Sequence, residues 1–298
     1  MSAPADPAAA RPAGPTLAEA LHDARHAGLD RVDAHALLGA LLGRDRAWLI
    51  AHDDQRLDAV QTGRWADWLR RRADGVPVAY LTGTREFHGL RLQVGPAVLD
   101  PRPDTEVLVD WALERLDALA AAGQPQARVL DLGTGSGAIA LSVAHARPAA
   151  TVSASDLSPD ALAQAQANAQ ALGLRLQAWY QGPWWDPLPQ GERWHLLLSN
   201  PPYIAGDDPH LPALRHEPRL ALTPEGDGLD ALRVLAAGAR ARLEPDGWLL
   251  LEHGWDQGPA VRALLQAAGF TDVATREDLG GQPRCTGGRS PAGTTGAS

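Results

Sequence analysis

Hydrophobic residues recur at helical spacing through the first quarter of the chain, without strand-like alternation. Thr16 followed three residues later by Glu19 is the sequence pattern of a capping box at a helix start. Trp65 and Trp68, three residues apart, predict the buried stripe of a later helix. We therefore predict a small helical bundle over residues 16–75, with its tryptophans in the core.

The pattern changes between residues 76 and 103, where glycines and prolines separate short alternating segments such as Leu90–Val94. This texture predicts a linker that contains a β-hairpin. Residues 1–15, which are rich in alanine and proline, and residues 291–298 are predicted to be disordered tails.

Apolar strands and helices alternate over residues 104–290. Strands are predicted at Arg128–Leu132, Thr151–Ser155, Arg175–Tyr180, Trp194–Ser199, Trp248–Glu252, Thr271–Thr275 and Arg284–Gly288, and helices at Thr105–Ala121, Ala138–His145, Pro159–Leu172, Leu229–Leu243 and Val261–Ala268. Repeated βα units imply an α/β domain, with a parallel sheet covered by helices on both faces.

Composition narrows the classes of function. The formal net charge of -9 offers no overall basic footprint, so we expect no stable nucleic-acid binding. A single cysteine excludes an intramolecular disulfide and a cysteine-based zinc cluster, and no metal site is predicted. No long apolar run and no secretory signal is present, so we expect a cytoplasmic protein that does not associate with membranes.

A glycine-rich loop, Gly133-Thr134-Gly135-Ser136-Gly137, joins a predicted strand to a predicted helix. Without side chains the backbone can turn tightly and approach a ligand at the positive end of that helix. Asp156 ends the next predicted strand, about 20 residues beyond Gly135, where it can accept hydrogen bonds from ribose hydroxyls. The spacing fits both dinucleotide and S-adenosylmethionine sites, so the loop predicts a nucleoside cofactor without deciding which.

A second loop, Asn200-Pro201-Pro202-Tyr203, follows a buried strand at the sheet edge where doubly wound folds bind ligands. Because two prolines keep the backbone extended, the Pro201 carbonyl is free to accept a hydrogen bond, and the Asn200 side-chain carbonyl is a second acceptor. Tyr203 adds an aromatic face. Two acceptors suit a planar NH2 group, so the loop predicts methyl transfer to an amide or amine nitrogen by positioning and electrostatics.

These motifs resemble those of the peptide chain release factor glutamine methyltransferases, the HemK or PrmC family. The matching segments are Pro77–Gly83, Arg85-Glu86-Phe87, Pro101–Glu106, the glycine loop, Asn200–Tyr203 and Leu249–Gly254. The resemblance implies a class I S-adenosylmethionine-dependent methyltransferase, with a Rossmann-like, seven-stranded, mostly parallel sheet preceded by a small all-α domain. It also implies methylation of the glutamine in the Gly-Gly-Gln motif of release factors, which modulates translation termination, with the helical bundle docking the release factor.

The resemblance also assigns the site residues. Cofactor binding falls to Gly133, Thr134, Gly135, Ser136, Gly137, Asp156, Trp184 and Asn200, substrate binding to Asn200, Pro201, Pro202 and Tyr203, and catalysis to Asn200, Pro201 and Tyr203. Trp184 would flank the adenine. The family usually has an acidic residue before that tryptophan, where this chain has Pro183, and the neighbouring Trp185 leaves the register open by one residue.

Three further residues remain open. Arg102 and Glu106 either help to shape the site or form an ordinary ion pair, and His253 is interpreted as a hydrogen-bonded structural residue at the sheet edge.

The alternative function is an adenine N6-methyltransferase acting on DNA or RNA, because adenine presents the same NH2 geometry. A third class is a non-catalytic module that binds a nucleoside for regulation. We expect a monomer.

Overall fold

The computed structural model describes residues 14–291, which fall into two compact units that meet between Gly83 and Thr84. The predicted disordered tails lie outside the described residues except at their inner ends. There, the Pro15 carbonyl accepts a hydrogen bond from the backbone N–H of Leu57 (2.9 Å), so Pro15 is part of the first unit. Within residues 14–291, every helix is too short or too polar to cross a membrane.

The described part of the first unit is helical. Its helices are α1 (Leu17–His26), α2 (Arg31–Leu42), α3 (Arg46–Ala51), α4 (Ala59–Ala73) and α5 (Val78–Thr82). The predicted capping box is confirmed: the Thr16 side chain accepts from the Glu19 N–H (3.1 Å), and the Glu19 carboxylate accepts from the Thr16 N–H (2.7 Å). These bonds satisfy backbone donors that the first turn would otherwise leave unpaired.

Trp65 and Trp68 of α4 are buried, as their spacing predicts. Helix α4 packs on α2, which contributes the fully buried Leu37 and Leu38. Trp48 differs from the prediction, because it is only half-buried and stacks on His52 with ring centroids 4.2 Å apart. The core of this unit therefore depends on the tryptophans of one helix.

The segment predicted as a linker, residues 76–103, carries regular structure in both units. Helix α5 begins after Pro77 and ends at Gly83, whose φ of +75° favours glycine. Strands β1 (Thr84–Phe87) and β2 (Leu90–Gln93) form the predicted hairpin, which belongs to the second unit. Helix α5 is too short for hydrophobic periodicity to reveal.

The second unit is built on a seven-stranded sheet. Its strands are β3 (Arg128–Leu132), β4 (Thr151–Asp156), β5 (Ala178–Gln181), β6 (Trp194–Ser199), β7 (Leu243–Glu252), β8 (Thr271–Glu277) and β9 (Pro283–Arg289), and its helices are α6 (Glu106–Ala121), α7 (Ala138–Ala146), α8 (Pro159–Leu172), α9 (Arg219–Leu222), α10 (Asp230–Arg242) and α11 (Gly258–Ala267). The strand order is β5-β4-β3-β6-β7-β9-β8, and β9 runs antiparallel to both of its neighbours, β7 and β8. The predicted fold class is confirmed.

The chain order reverses between β3 and β6, which pair in parallel. In open α/β sheets the crevice for ligands lies outside the carboxyl ends of the strands at such a reversal. Leu130, Leu197 and Leu249 in three adjacent strands are fully buried, as expected for a sheet with helices on both faces. The rigid core thus lies directly beneath the candidate site.

Two strands begin at least three residues away from the predicted position. Strand β7 begins at Leu243 rather than Trp248, because helix α10 ends at Arg242 and the chain continues directly into the strand. Strand β5 begins at Ala178 rather than Arg175, so residues 175–177 add no ladder pairs.

We expect Leu197→Ala to lower the free energy of unfolding by about 2–5 kcal/mol, because it leaves a cavity in the central strand β6. Leu279→Ala is the matched control, since that leucine is fully exposed between β8 and β9 and should change little. Urea unfolding followed by tryptophan fluorescence measures both. Equal effects of the two substitutions would contradict this assignment of the core.

Candidate active site

A cavity of about 370 Å³ opens at the carboxyl edge of the sheet, a size typical of small-molecule sites. Its wall comes from the loops after β3, β4, β5 and β6, together with residues 97–105 and 218–234. It brings together most of the residues assigned from the sequence, namely Gly133, Thr134, Gly135, Ser136, Asp156, Trp184, Asn200 and Pro202. Three other assigned residues, Gly137, Pro201 and Tyr203, are not among the residues that line it.

Backbone hydrogen bonds shape the glycine loop. The N–H groups of Gly133 and Thr134 both donate to the Ser155 carbonyl at 2.9 Å, which ties the loop to β4. Gly137, at φ +85°, lies against α7 and α8 rather than the cavity: a Cβ there would be 2.9 Å from Leu141 Cδ1. Gly137 therefore permits close packing, while Gly133 and Gly135 face the cavity.

Backbone N–H groups of the glycine loop and of its own loop hold the Asp156 carboxylate in place. One carboxylate oxygen accepts from the Gly135 N–H (2.8 Å) and the other from the Ser158 N–H (2.9 Å). Burial raises the pKa of Asp156, and these backbone donors oppose the shift. Because each carboxylate oxygen can accept more than one hydrogen bond, both retain capacity for hydroxyl groups of a ligand.

Asp131 was missed as a functional residue, although it is the one acid in the apolar strand β3. It is fully buried, and one of its oxygens accepts from the Thr134 hydroxyl (2.6 Å) and the Ala140 N–H (3.3 Å). The other oxygen has no hydrogen-bond partner among the described residues. Burial raises the pKa of Asp131 to about 7. Asp131 thus joins the glycine loop to the first turn of α7.

The structure distinguishes the two adjacent tryptophans. Trp184 lines the cavity, and its ring lies 3.7 Å from the point where a Cβ on Gly133 would be. Trp185 packs on Gly238 and donates its indole N–H to the Val234 carbonyl (3.1 Å). The flat wall beside the glycine loop therefore belongs to Trp184.

The Asn-Pro-Pro-Tyr loop has a defined hydrogen-bond polarity. The side-chain NH2 of Asn200 donates to the Thr105 hydroxyl oxygen (3.2 Å), which leaves the Asn200 carbonyl oxygen as an acceptor. The Tyr203 hydroxyl donates to Glu252 (3.3 Å), and burial raises the pKa of Tyr203 well above its usual range. Tyr203 therefore anchors the loop through Glu252.

The three open residues have clear partners. Arg102 forms an ion pair with the buried carboxylate of Glu217. Glu106 accepts a hydrogen bond from the His88 backbone (2.9 Å). His253 is fully buried between Thr286 (2.7 Å) and the Gly254 carbonyl (2.8 Å), which confirms the structural interpretation. Thr105, Glu217 and Glu252 were missed, because each acts through a partner distant in sequence.

The amino-acid sequence is similar to that of known proteins over most of its length. A release factor glutamine methyltransferase of Xylella fastidiosa (strain Temecula1) is 53% identical over 265 residues, which cover 88% of this chain and 94% of that protein. One of Bordetella pertussis is 51% identical, over 88% of this chain and 95% of that protein.

The chain belongs to the release factor glutamine methyltransferase family. Residues 16–83 match the PrmC N-terminal domain, and residues 112–229 match the methyltransferase small domain. A solved methyltransferase from Pyrococcus furiosus shares the fold, with a TM-score of 0.51 and 15% identity over 68% of this chain and 90% of that chain. The resemblance inferred from the motifs is thus confirmed.

We expect Gly137→Ala to destabilise this family member more than Gly123→Ala. Both glycines have nearly the same φ, +85° and +84°, so both substitutions strain the backbone by about 1–2 kcal/mol. Only the Cβ at residue 137 meets neighbouring atoms, which should add about 1–3 kcal/mol. Urea unfolding of the two variants isolates the packing contribution, and equal losses would show that α7 and α8 are not closely packed here.

Proposed function

We propose that this protein transfers a methyl group from S-adenosyl-L-methionine to the side-chain amide nitrogen of the glutamine in the Gly-Gly-Gln motif of peptide chain release factors. The observation that carries the proposal is the single cavity shared by the glycine loop and Asn200, whose carbonyl oxygen is left free by the bond to Thr105. Relatives named for this activity match over most of the chain.

The residues of the cavity fit S-adenosylmethionine. Asp156 offers carboxylate oxygens to ribose hydroxyls, and the Trp184 ring offers a flat apolar face to adenine. At Gly133 the missing Cβ leaves the space between loop and indole open. When bound, the cofactor supplies a methyl group activated by a sulfonium centre.

The chain itself supplies orientation. An amide nitrogen is a weak nucleophile because its lone pair is delocalised. The Asn200 carbonyl oxygen and the Pro201 carbonyl would accept hydrogen bonds from the two N–H groups of the glutamine amide. These bonds add electron density at the nitrogen and fix the orientation of the amide. Apolar residues such as Val98, Leu99 and Ile139 line the same cavity and exclude water, so these dipoles act in a medium of low dielectric.

Release factors are the partners in this proposal, and their docking is assigned to the helical first unit. The net charge of -9 disfavours stable contact with nucleic acid, which argues against an adenine N6-methyltransferase acting on DNA or RNA. Action on a translation factor implies a cytoplasmic enzyme, and we propose that it works as a monomer.

Incubation with methyl-labelled S-adenosylmethionine and a release factor should label the factor at the glutamine. Asn200→Ala should lower kcat by about 10²–10³-fold, because one of two preorganised hydrogen-bond partners is lost. A release factor with alanine in place of that glutamine is the substrate control and should gain no label. Equal labelling of this control, or transfer to adenine in DNA or RNA instead, would overturn the proposed substrate.

Trp184→Ala should weaken S-adenosylmethionine binding by about 5- to 100-fold, the usual cost of losing a stacking partner for a base. Trp185→Ala is the matched control, because its indole packs on Gly238, donates to the Val234 carbonyl and is not among the groups that line the cavity. Isothermal titration calorimetry measures both dissociation constants. A larger loss in the Trp185 variant would reassign the adenine wall.

A further inference from the structure

Glu252 is a buried acid that the proposed chemistry does not use. It is the last residue of β7, one position beyond the pair that Leu251 makes with Ser199 of β6. Its side chain is 1% exposed, and one oxygen accepts from the Tyr203 hydroxyl at 3.3 Å. The other oxygen has no hydrogen-bond partner among the described residues. Burying a carboxylate with so few partners costs free energy, so we expect Glu252 to have a specific role.

Thr105 connects Glu252 to the amide of Asn200. Its hydroxyl oxygen accepts from the Asn200 NH2 group (3.2 Å), and its side chain is buried. Because that oxygen accepts from Asn200, its own hydrogen is available for donation to a different group. Glu252 follows Leu251, the ladder partner of Ser199, and so lies beside Asn200, and Thr105 is among the groups that lower its pKa. The Glu252 oxygen without a partner is therefore the acceptor available to the Thr105 hydroxyl, and this donation would extend the bond from Asn200 in one direction, from Asn200 to Thr105 to Glu252.

We propose that Glu252 is a positioning residue that fixes the orientation of the Asn200 amide. A carboxylate at residue 252 can only accept, so Thr105 donates to it and accepts from the Asn200 NH2 group. The Asn200 carbonyl oxygen is then the atom that faces the substrate nitrogen. This inference rests on the proposed function for its consequence in catalysis, but the orientation itself does not require a substrate.

A donor at residue 252 would reverse this chain of bonds. Thr105 would then accept a hydrogen bond from residue 252 and donate one to the Asn200 side-chain carbonyl. To accept that bond, the Asn200 amide would rotate by half a turn about its Cβ–Cγ bond. The NH2 group of Asn200 would face the NH2 group of the substrate, donor against donor. One of the two acceptors for the substrate amide would be lost without any change in the size of a side chain.

Protonation of Glu252 creates such a donor. Burial raises the pKa of Glu252 to about 7, opposed by Thr105, Arg284 and Tyr203, while Asp104 adds to the rise. Cys285 also faces the carboxylate, and burial keeps that thiol neutral by raising its pKa. The carboxylate that orients Asn200 therefore forms as the pH rises through about 7.

Glu252→Gln is the direct test, because glutamine keeps an acceptor for Tyr203 and adds a donor for Thr105. With saturating cofactor, we expect kcat to fall by about 10²-fold, the usual cost of misplaced reactants, with KM for the release factor and cofactor affinity unchanged. The kcat of the wild type should rise with pH through about 7, and that of the variant should not. Glu106→Gln, which removes a carboxylate from the neighbouring helix start, is the matched control and should behave like wild type.

Thr105 variants guard against a misfolded Glu252 variant. Thr105→Val should slow catalysis as much as Glu252→Gln, Thr105→Ser should slow it less, and the double variant Glu252→Gln/Thr105→Val should be no slower than the slower single variant. Multiplicative losses in the double variant, or an unchanged kcat in Glu252→Gln, would overturn the proposal.

An assay without turnover separates this inference from the proposed function. The side-chain amide signals of Asn200, assigned by their loss in Asn200→Ala, can be followed by 15N NMR from pH 5.5 to 8.5, roughly 1.5 units on each side of the expected midpoint. They should titrate near pH 7 in the wild type and stay at the low-pH position in Glu252→Gln. If the Asn200 signals of the wild type do not change with pH, Glu252 does not orient the Asn200 amide. Titrating signals in an enzyme that leaves release factors unlabelled would reject the substrate instead.

Discussion

The parallel pairing of β3 with β6 is the constraint on which the candidate site depends. Asp131 lies opposite Leu198 in that ladder, so two residues further on each strand Gly133 comes beside Asn200. Parallel strands end at the same edge of a sheet, and the two loops must therefore share one crevice. The Ser199 hydroxyl strengthens the pairing by donating to the Leu132 carbonyl at 2.6 Å. Leu196, Leu197 and Leu198 of β6 are fully buried, so this strand packs on both faces of the sheet and is held firmly beneath the two loops.

Three carboxylates lie close to this edge: Asp156 and Glu252 end their strands, and Asp131 is the last residue but one of β3. In all three, burial is the largest influence on the pKa and raises it. Each of them bonds a loop or a side chain that faces the cavity rather than a distant cation. Desolvated acids lower stability, and clusters of them are typical of sites where orientation matters more than the stability of the fold. At this edge the protein accepts that cost in exchange for fixed loops.

The sequence predicted the sheet, the glycine loop and the Asn-Pro-Pro-Tyr loop, because these depend on local patterns. Apolar runs mark buried strands, and glycine and proline mark the turns between them. The sequence did not reveal the bond from Asn200 to Thr105 or the bond from Tyr203 to Glu252, whose partners are 95 and 49 residues apart. Such pairs exist only once the strands are ordered. The choice between Trp184 and Trp185 is of the same kind, because the backbone near Val234, in α10, determines which indole is withdrawn from the cavity.

The two ends of the cavity are stabilised by different forces. At the glycine loop, backbone N–H groups bind Ser155 and Asp156, so that wall moves only with the sheet. Residues 97–105 and 218–224 also line the cavity, and the ion pair of Arg102 with Glu217, the residue before the second segment, joins these two segments. Because the Glu217 carboxylate is buried, separating this pair would leave a charge without a partner, which is strongly unfavourable. One wall of the cavity is therefore held by backbone bonds to the sheet, and another by a buried ion pair between two loop segments, so the two walls respond differently to a substitution: loss of Arg102 would loosen the loop segments without disturbing the strands that position the glycine loop.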